Sequence, residues 1–479
     1  MRRTSAAVVL FACFVGVAVS QTPVPRPQAA GQRPGAPPDV AGESAPRIAG
    51  LRSLMGTLAD GTAYRIDVPA GWNGAALFNL DYASPVAPYS EQNRLLLARG
   101  YGLAGVARAV TGWRVPLAVD NLTEVKRLFE AEFGAIKQPI AFGGSMGGHT
   151  VFIGAHRKPS PWVAGVGNCA GPAGAVAQWN EKLDALFVAK TLLAPTSNLP
   201  VIDVPADFEA SAIPAWKSML EQAQKTPEGG ARIALASVLG GLPDWASMSN
   251  PRPATTDFDA RQAGYYEALA GGRLAAVAQF MSSRRQINAL YGGNISWNTG
   301  VDYKAELNRL PEKKLVEALY RRAKLDLAAD LMALAEAPRI SEQATALQAI
   351  AEQQYSGDLT IPVISLQGIG DPISASDAMD AIVKGAKAAG KQTLLRTAFT
   401  ETAGHCTFSS AEIAAVVDVV KQRLDSGHWP DTSPASLNAL ARRIAPDAPA
   451  RFIDYRPNPF PRLLTPQEFK RRAAGAASR

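Results

Sequence analysis

Histidine and cysteine are scarce in this chain, with four of the first and three of the second among 479 residues. There is no cysteine cluster of the kind that holds zinc and no His-Glu-x-x-His pair. A Gly-x-Gly-x-x-Gly turn opening a nucleotide domain is also lacking, as is a Walker loop, so neither a metal nor a nicotinamide cofactor is implied. Charged residues make up 19% of the chain and the formal net charge is +7, a mild excess spread over a long sequence. No Lys/Arg-rich block grips phosphates, so the excess reads as a solvated surface and nucleic acid is not an expected partner. Past the first twenty residues no segment is long and apolar enough to be transmembrane, so no stable membrane anchor is expected.

What is present begins with an export signal. Arg2 and Arg3 precede an uncharged apolar run from Ala6 to Ala18, and Ala18-Val19-Ser20 forms a small-x-small cleavage pattern before Gln21. Residues 1–20 therefore read as a secretory signal peptide, which predicts a secreted or periplasmic protein. A lipid-anchored form at Cys13 is the less favoured variant, because it leaves a very short apolar region. Residues 21–45 are rich in Pro, Gly, Gln and Ala and read as a disordered leader. Removing the signal leaves Cys169 and Cys406, an even pair that is a candidate disulfide in an exported protein.

From residue 46 the pattern is strand alternating with helix. Leu54–Pro69 alternates around Ala59-Asp60-Gly61 like a hairpin. Short apolar runs at Ala75–Leu80, Tyr101–Ala107, Pro139–Phe142 and Trp162–Val166 read as buried strands, with helical spacing over Ser90–Arg99, Leu122–Phe133 and His149–His156. This spacing predicts an α/β fold with a mostly parallel central sheet and crossover helices. The alternation stops near Gly171. Residues 173–355 read as a helical insertion, with 3.6-residue spacing over Leu183–Leu193, Ile213–Gln224, Leu315–Ala335 and Ile340–Gln354. The alternation resumes with a strand at Ile361–Leu366, a helix at Ala378–Ala389, a strand at Thr393–Thr397 and a helix at Ala411–Leu424. Residues 46–172 and 356–428 thus form the core. Residues 429–479 read as an extended wrap ending in a basic helix.

The strongest chemical signal is Gly143-Gly144-Ser145-Met146-Gly147, directly after an apolar strand and directly before a helix. This is the Gly-x-Ser-x-Gly elbow, in which a serine sits at a strained position and needs small neighbours. The start of the following helix offers backbone N–H groups and a favourable dipole to a developing anion. A serine nucleophile needs a base. His149 lies on the elbow helix with the wrong geometry, His156 sits at that helix's far end, and His428 lies beyond the last core helix. His405, in the loop Ala403-Gly404-His405-Cys406 between the last strand and the last helix, is the expected base. Asp371, in a turn just past a strand and before Pro372, is the expected acid; Asp377 and Asp380 are rivals at the start of the next helix. The order Ser, acid, His matches this motif. For an oxyanion hole, the Met146 N–H is one expected donor and the Tyr82 N–H, in the loop after Ala75–Leu80, the other.

Together these residues resemble the α/β-hydrolase superfamily over residues 55–425. The resemblance implies an α/β-hydrolase fold whose helical insertion caps the site, and acyl transfer to water through an acyl-enzyme on Ser145. The His405-Cys406 pair is similar to the tannase and feruloyl esterase pattern, in which a cysteine after the histidine is bridged to one before the serine. Here Gly144 stands before Ser145, so a gallate or ferulate substrate does not carry over. A small-molecule ester is the expected substrate, with a peptidase or amidase on the same triad as the alternative. A non-enzymatic binding protein is disfavoured because all three triad positions are filled. Nothing in the sequence sets an oligomeric state. The Cys169–Cys406 pair is expected to bond, because Cys169 follows the strand after the elbow helix and Cys406 adjoins the base.

Overall fold

The computed structural model describes residues 50–84, 89–272 and 275–475. The expected signal peptide and leader, residues 1–45, lie outside the described residues, as does Cys13.

Nine strands form one sheet: β1 (Arg52–Thr57), β2 (Ala63–Val68), β3 (Ala75–Leu80), β4 (Gly102–Val106), β5 (Gln138–Gly144), β6 (Ala164–Asn168), β7 (Val363–Gly370), β8 (Leu395–Ala403) and β9 (Phe452–Ile453). Their order is β1-β2-β4-β3-β5-β6-β7-β8-β9. From β4 to β8 all pairings are parallel, while β1–β2, β2–β4 and β8–β9 are antiparallel. The central strands β3 to β7 are almost wholly buried, which is why their sequences are continuous apolar runs rather than alternating ones. Helices Val115–Phe133 and Met146–His156 pack on one face, and Glu91–Ala98 and Ser410–Ser426 on the other. This is the α/β-hydrolase fold.

The sheet pairs β6 directly with β7, although nearly 200 residues separate them. Nine α-helices fill that interval among the described residues, from Ala175–Leu193 to Ala344–Ala349. They form their own apolar core around Trp216, Leu235, Phe280 and Tyr320. The segment expected as one helix, Leu315–Ala335, is two: Lys313–Arg322 and Leu327–Glu336. Lys324 takes φ 55°, which ends the first, and Asp326 caps the second through the N–H groups of Ala328 and Ala329. The C-terminal segment departs further from an extended wrap. It contributes a helix, Pro434–Ile444, and its Phe452–Ile453 adds the antiparallel edge strand β9 before the basic helix Pro466–Ala473. Glu412, fully buried, caps its own helix and binds Arg451, which anchors this return to the sheet. No helix among the described residues is long and apolar enough to cross a membrane.

The elbow helix is clamped by aromatic packing. Phe152 is fully buried and stacks on Tyr355 at 5.4 Å. Phe152→Ala should destabilise the fold by about 3–5 kcal/mol, because so large a cavity cannot collapse against the sheet; the shift in the urea unfolding midpoint measures it.

Candidate active site

β5 ends at Gly144 and the next helix begins at Met146, so the chain reverses direction on Ser145 alone. Its backbone takes φ 55° and ψ −122°, a region that is costly for a residue with a side chain. A Cβ on Gly143 would sit 2.6 Å from the Gly147 carbonyl, and one on Gly148 would sit 2.5 Å from the Ala170 Cβ. Glycines are therefore obligatory for this close crossing of strand and helix. The neighbouring strand secures the turn through the Ser145 N–H, which donates to the Asn168 carbonyl at 3.0 Å.

Residues from the far part of the chain complete the cluster. His405 Nε2 lies 2.7 Å from Ser145 Oγ, and its Nδ1 lies 2.8 Å from Asp371 Oδ2. Asp371 is 1% exposed and its Oδ1 accepts the N–H groups of Ile373 and Ser374 at 2.8 and 3.0 Å. These bonds aim the carboxylate at the imidazole. The Gly404 N–H donates to the Gly370 carbonyl at 2.9 Å, tying the histidine loop to the acid loop. The arrangement can pass a proton from a hydroxyl to an imidazole whose tautomer a carboxylate holds.

The competing residues are occupied elsewhere. His149 is buried and its Nδ1 lies 2.8 Å from the Tyr355 hydroxyl; His156 binds the Phe152 carbonyl, and His428 pairs with Ser426 on the surface. The Asp377 and Glu181 carboxyls lie together beside Gly241, and burial raises the Asp377 carboxyl to about 7 and the Glu181 carboxyl well above its usual range. Asp380 pairs with Lys384 and accepts the Phe460 N–H.

A small pocket opens at Ser145, lined by Trp113, Met146, His149, Gln178, Trp179, Lys182, Gln279, Ile373 and Ser374 among others. It includes Met146, the first expected oxyanion donor. Tyr82 is not among its lining residues. The Tyr82 N–H meets the Asn79 carbonyl at 3.4 Å and its phenol binds Asp67 Oδ2 at 2.5 Å, within a buried network under the sheet edge. Gln178, Trp179, Lys182 and Gln279 come from the helical insertion, and the sequence reading had named none of them. Only the structure gives their signal: the helix Ala175–Leu193 is buried on every side from Ala175 to Ala189, yet carries Gln178, Asn180, Glu181, Lys182 and Asp184.

Cys169 follows β6 and Cys406 adjoins His405; they form a disulfide with Cα atoms 5.4 Å apart. Both take positive φ, 43° and 59°. A Cβ on Gly144 would point at both sulfurs, 3.5 and 3.7 Å away. The bridge thus reaches the spot beside the serine from the adjacent strand, where the tannase-like pattern would reach it from the residue before the serine.

An o-phthalyl amidase of Xanthobacter agilis is 32% identical over 432 residues, covering 83% of this chain and 93% of its own. The chain belongs to that amidase's family. This hydrolase matches no family model. Among solved structures, an esterase from Aspergillus oryzae superposes with a TM-score of 0.40 at 11% identity, covering 79% of this chain and 80% of its own. Feruloyl esterase B from Aspergillus oryzae gives a TM-score of 0.35 at 13% identity, covering 80% of this chain and 81% of its own. The fold itself is identified by strand order and elbow geometry.

Two expected outcomes follow from this geometry. Digestion of the unreduced protein should release a cross-linked peptide pair containing Cys169 and Cys406; separate peptides with free thiols would exclude the bond. Burial lowers the His149 pKa to about 4, so the folded state keeps this imidazole neutral while the unfolded chain protonates it from about 6.5 downward. Its contribution to stability is complete above pH 6.5 and is lost as pH falls toward 4. A His149→Gln variant should show a shallower loss of urea stability across that window than the wild type.

Proposed function

We propose that this protein is an exported serine hydrolase that cleaves an amide or ester through an acyl-enzyme on Ser145. His405 accepts the Ser145 proton as Oγ attacks the carbonyl and returns it to the leaving group; Asp371 orients His405 and stabilises the imidazolium. The Met146 N–H, at the start of the elbow helix, faces the developing oxyanion. Water then repeats the cycle on the acyl-enzyme. The observation that carries this reading is the unbroken chain of contacts Ser145 Oγ, His405 Nε2, His405 Nδ1 and Asp371, at 2.7 and 2.8 Å.

The bond cleaved is best read as an amide. The sequence pattern by itself favours an ester, but the relative is named for an amide bond and an o-phthalyl group. Trp113 and Trp179 line the pocket beside Ser145 and their rings meet edge to face at 6.0 Å, which suits an aromatic acyl group. The insertion over residues 173–355 acts as the cap, supported by the four side chains it sends to that pocket. Secretion is supported by the disulfide, which persists in oxidising compartments.

Ser145→Ala should lower turnover by roughly 10⁴- to 10⁶-fold with the fold retained, and His405→Ala nearly as much. Asp371→Asn should be milder, because the acid orients rather than reacts. Asp377→Asn should keep most activity; if it were the damaging change instead, the acid assignment would fail. The assay pairs fluorophosphonate labelling of Ser145 with release of 4-nitroaniline from aromatic anilides.

A further inference from the structure

The end of β8 runs straight into the loop that carries His405, and it is held from the open side of the sheet. Backbone N–H groups two residues apart in a strand point the same way. The Glu401 N–H donates to the Arg451 carbonyl beside β9. Two residues on, beyond the pairing with β9, the buried Ala403 N–H donates instead to Met248 Sδ at 3.1 Å. Met248 belongs to the insertion, between the helices Pro227–Leu239 and Phe258–Ala270. That segment is wedged against the loops that carry Asp371 and His405. Trp245 shares an apolar cluster with Ile369 and Ala403. A Cβ on Gly370, before Asp371, would meet the Trp245 carbonyl at 2.2 Å, and one on Gly404, before His405, would lie 3.8 Å from the Ala246 carbonyl. Trp245 is buried, but Met248 is 44% exposed. A thioether is a weak acceptor and, when exposed, an oxidisable one. The strand end next to His405 is thus tied through an atom whose chemistry an oxidant can change.

Resting on the reading of His405 as the base, we propose that Met248 is an oxidative modification site through which hydrogen peroxide lowers turnover. The sulfur lone pair attacks the peroxide O–O bond and takes one oxygen atom, giving the sulfoxide. The sulfur is oxidised by two electrons, and the other peroxide oxygen leaves as water. The new oxygen is a stronger acceptor than the thioether and stands a bond length out from the sulfur. The Ala403 N–H then follows that oxygen to a new position or loses its acceptor. Either outcome moves the strand end that leads through Gly404 to His405, and so moves the imidazole relative to Ser145. Met248 is therefore a positioning residue, and its oxidation is reversible by methionine sulfoxide reduction. Cys169 and Cys406 are bonded to each other, so no thiol there competes for the oxidant.

The test treats the protein with hydrogen peroxide, maps sulfoxides by peptide mass spectrometry and follows hydrolysis of an aromatic anilide. Each variant is scored against its own untreated sample. Wild-type kcat should fall by roughly tenfold or more with KM little changed, in proportion to the sulfoxide at Met248. Methionine sulfoxide reductase should restore it. Met55 and Met332, 63% and 58% exposed, are internal controls whose oxidation should have no effect. Met248→Leu should hold its own untreated kcat through the same treatment. An equal loss in Met248→Leu, as oxidation of Met146 beside the nucleophile would give, overturns the proposal. So does full activity with Met248 converted, or a Met248 that resists the oxidant while Met55 and Met332 react. Should Met248→Leu not fold, the wild type decides: a loss that tracks Met146 sulfoxide rather than Met248 sulfoxide overturns the proposal. Failure of the untreated wild type to label with a fluorophosphonate at Ser145, or full anilide hydrolysis by His405→Ala, would instead sink the triad reading on which this rests.

Discussion

The turn at Ser145 is the constraint around which the rest of the molecule is arranged. A residue with a side chain held at φ 55° and ψ −122° is stable only where its surroundings over-determine it. Three features do so. Glycines at 143 and 148 let the helix start directly over the strand end, β6 supplies the Asn168 carbonyl to the Ser145 N–H, and Phe152 with Tyr355 fixes the helix that follows. What the strain yields is orientation. The hydroxyl stands clear of the sheet edge, where the loops after β7 and β8 converge, and the helix N-terminus lies beneath it.

Convergence of those loops is secured by covalent as well as polar contacts. Cys169 and Ser145 both lie just past the ends of adjacent parallel strands, so a bond from Cys169 to Cys406 fixes the residue next to His405 relative to the strand next to Ser145. The Gly404-to-Gly370 hydrogen bond does the same between the histidine and the acid. In chain-entropy terms, closing a loop of 237 residues stabilises the fold by up to about 5 kcal/mol. The same two links hold the contacts from Ser145 through His405 to Asp371 at 2.7 and 2.8 Å.

The core was legible in the sequence because parallel strands covered on both faces leave continuous apolar runs, and because the elbow pentapeptide needs glycines at defined places. Ala75–Leu80 was read with its observed bounds, and Asp371 and His405, singled out by their position after strand ends, come together with Ser145. The insertion was read less well, for two physical reasons. Two of its helices, Ala175–Leu193 and Pro227–Leu239, are buried nearly all round and lack the solvent-facing polar stripe that marks a helix start; the spacing over Leu183–Leu193 showed only the second half of the first. The second also begins with residues that look like breakers. Pro227-Glu228-Gly229-Gly230 resembles a turn, yet Thr226 caps a helix there, Pro227 sits in its first turn, and Gly229 packs against the Ala223 carbonyl. The conformation of the loop after β3 was not legible either: it is shaped by Asp81 at φ 83° and by the Tyr82–Asp67 bond, and neither leaves a pattern in the local sequence.

The polar residues of the helix Ala175–Leu193 bear on how the insertion is tied to the rest of the chain. Burying Glu181, Lys182 and Asp184 on one helix costs desolvation that a purely structural helix would avoid with leucine or alanine. Asp184 is compensated by Arg462 and by the Tyr303 hydroxyl, so the C-terminal segment is locked onto the insertion. Glu181 is compensated by keeping its proton beside Asp377. Lys182 alone of the three lines the pocket at Ser145; burial lowers its ammonium to about 8, while the Glu181, Asp371 and Asp377 carboxyls around it favour its charge. Its one hydrogen bond, to the Ile373 carbonyl, ties the first helix after β6 to the Asp371 loop.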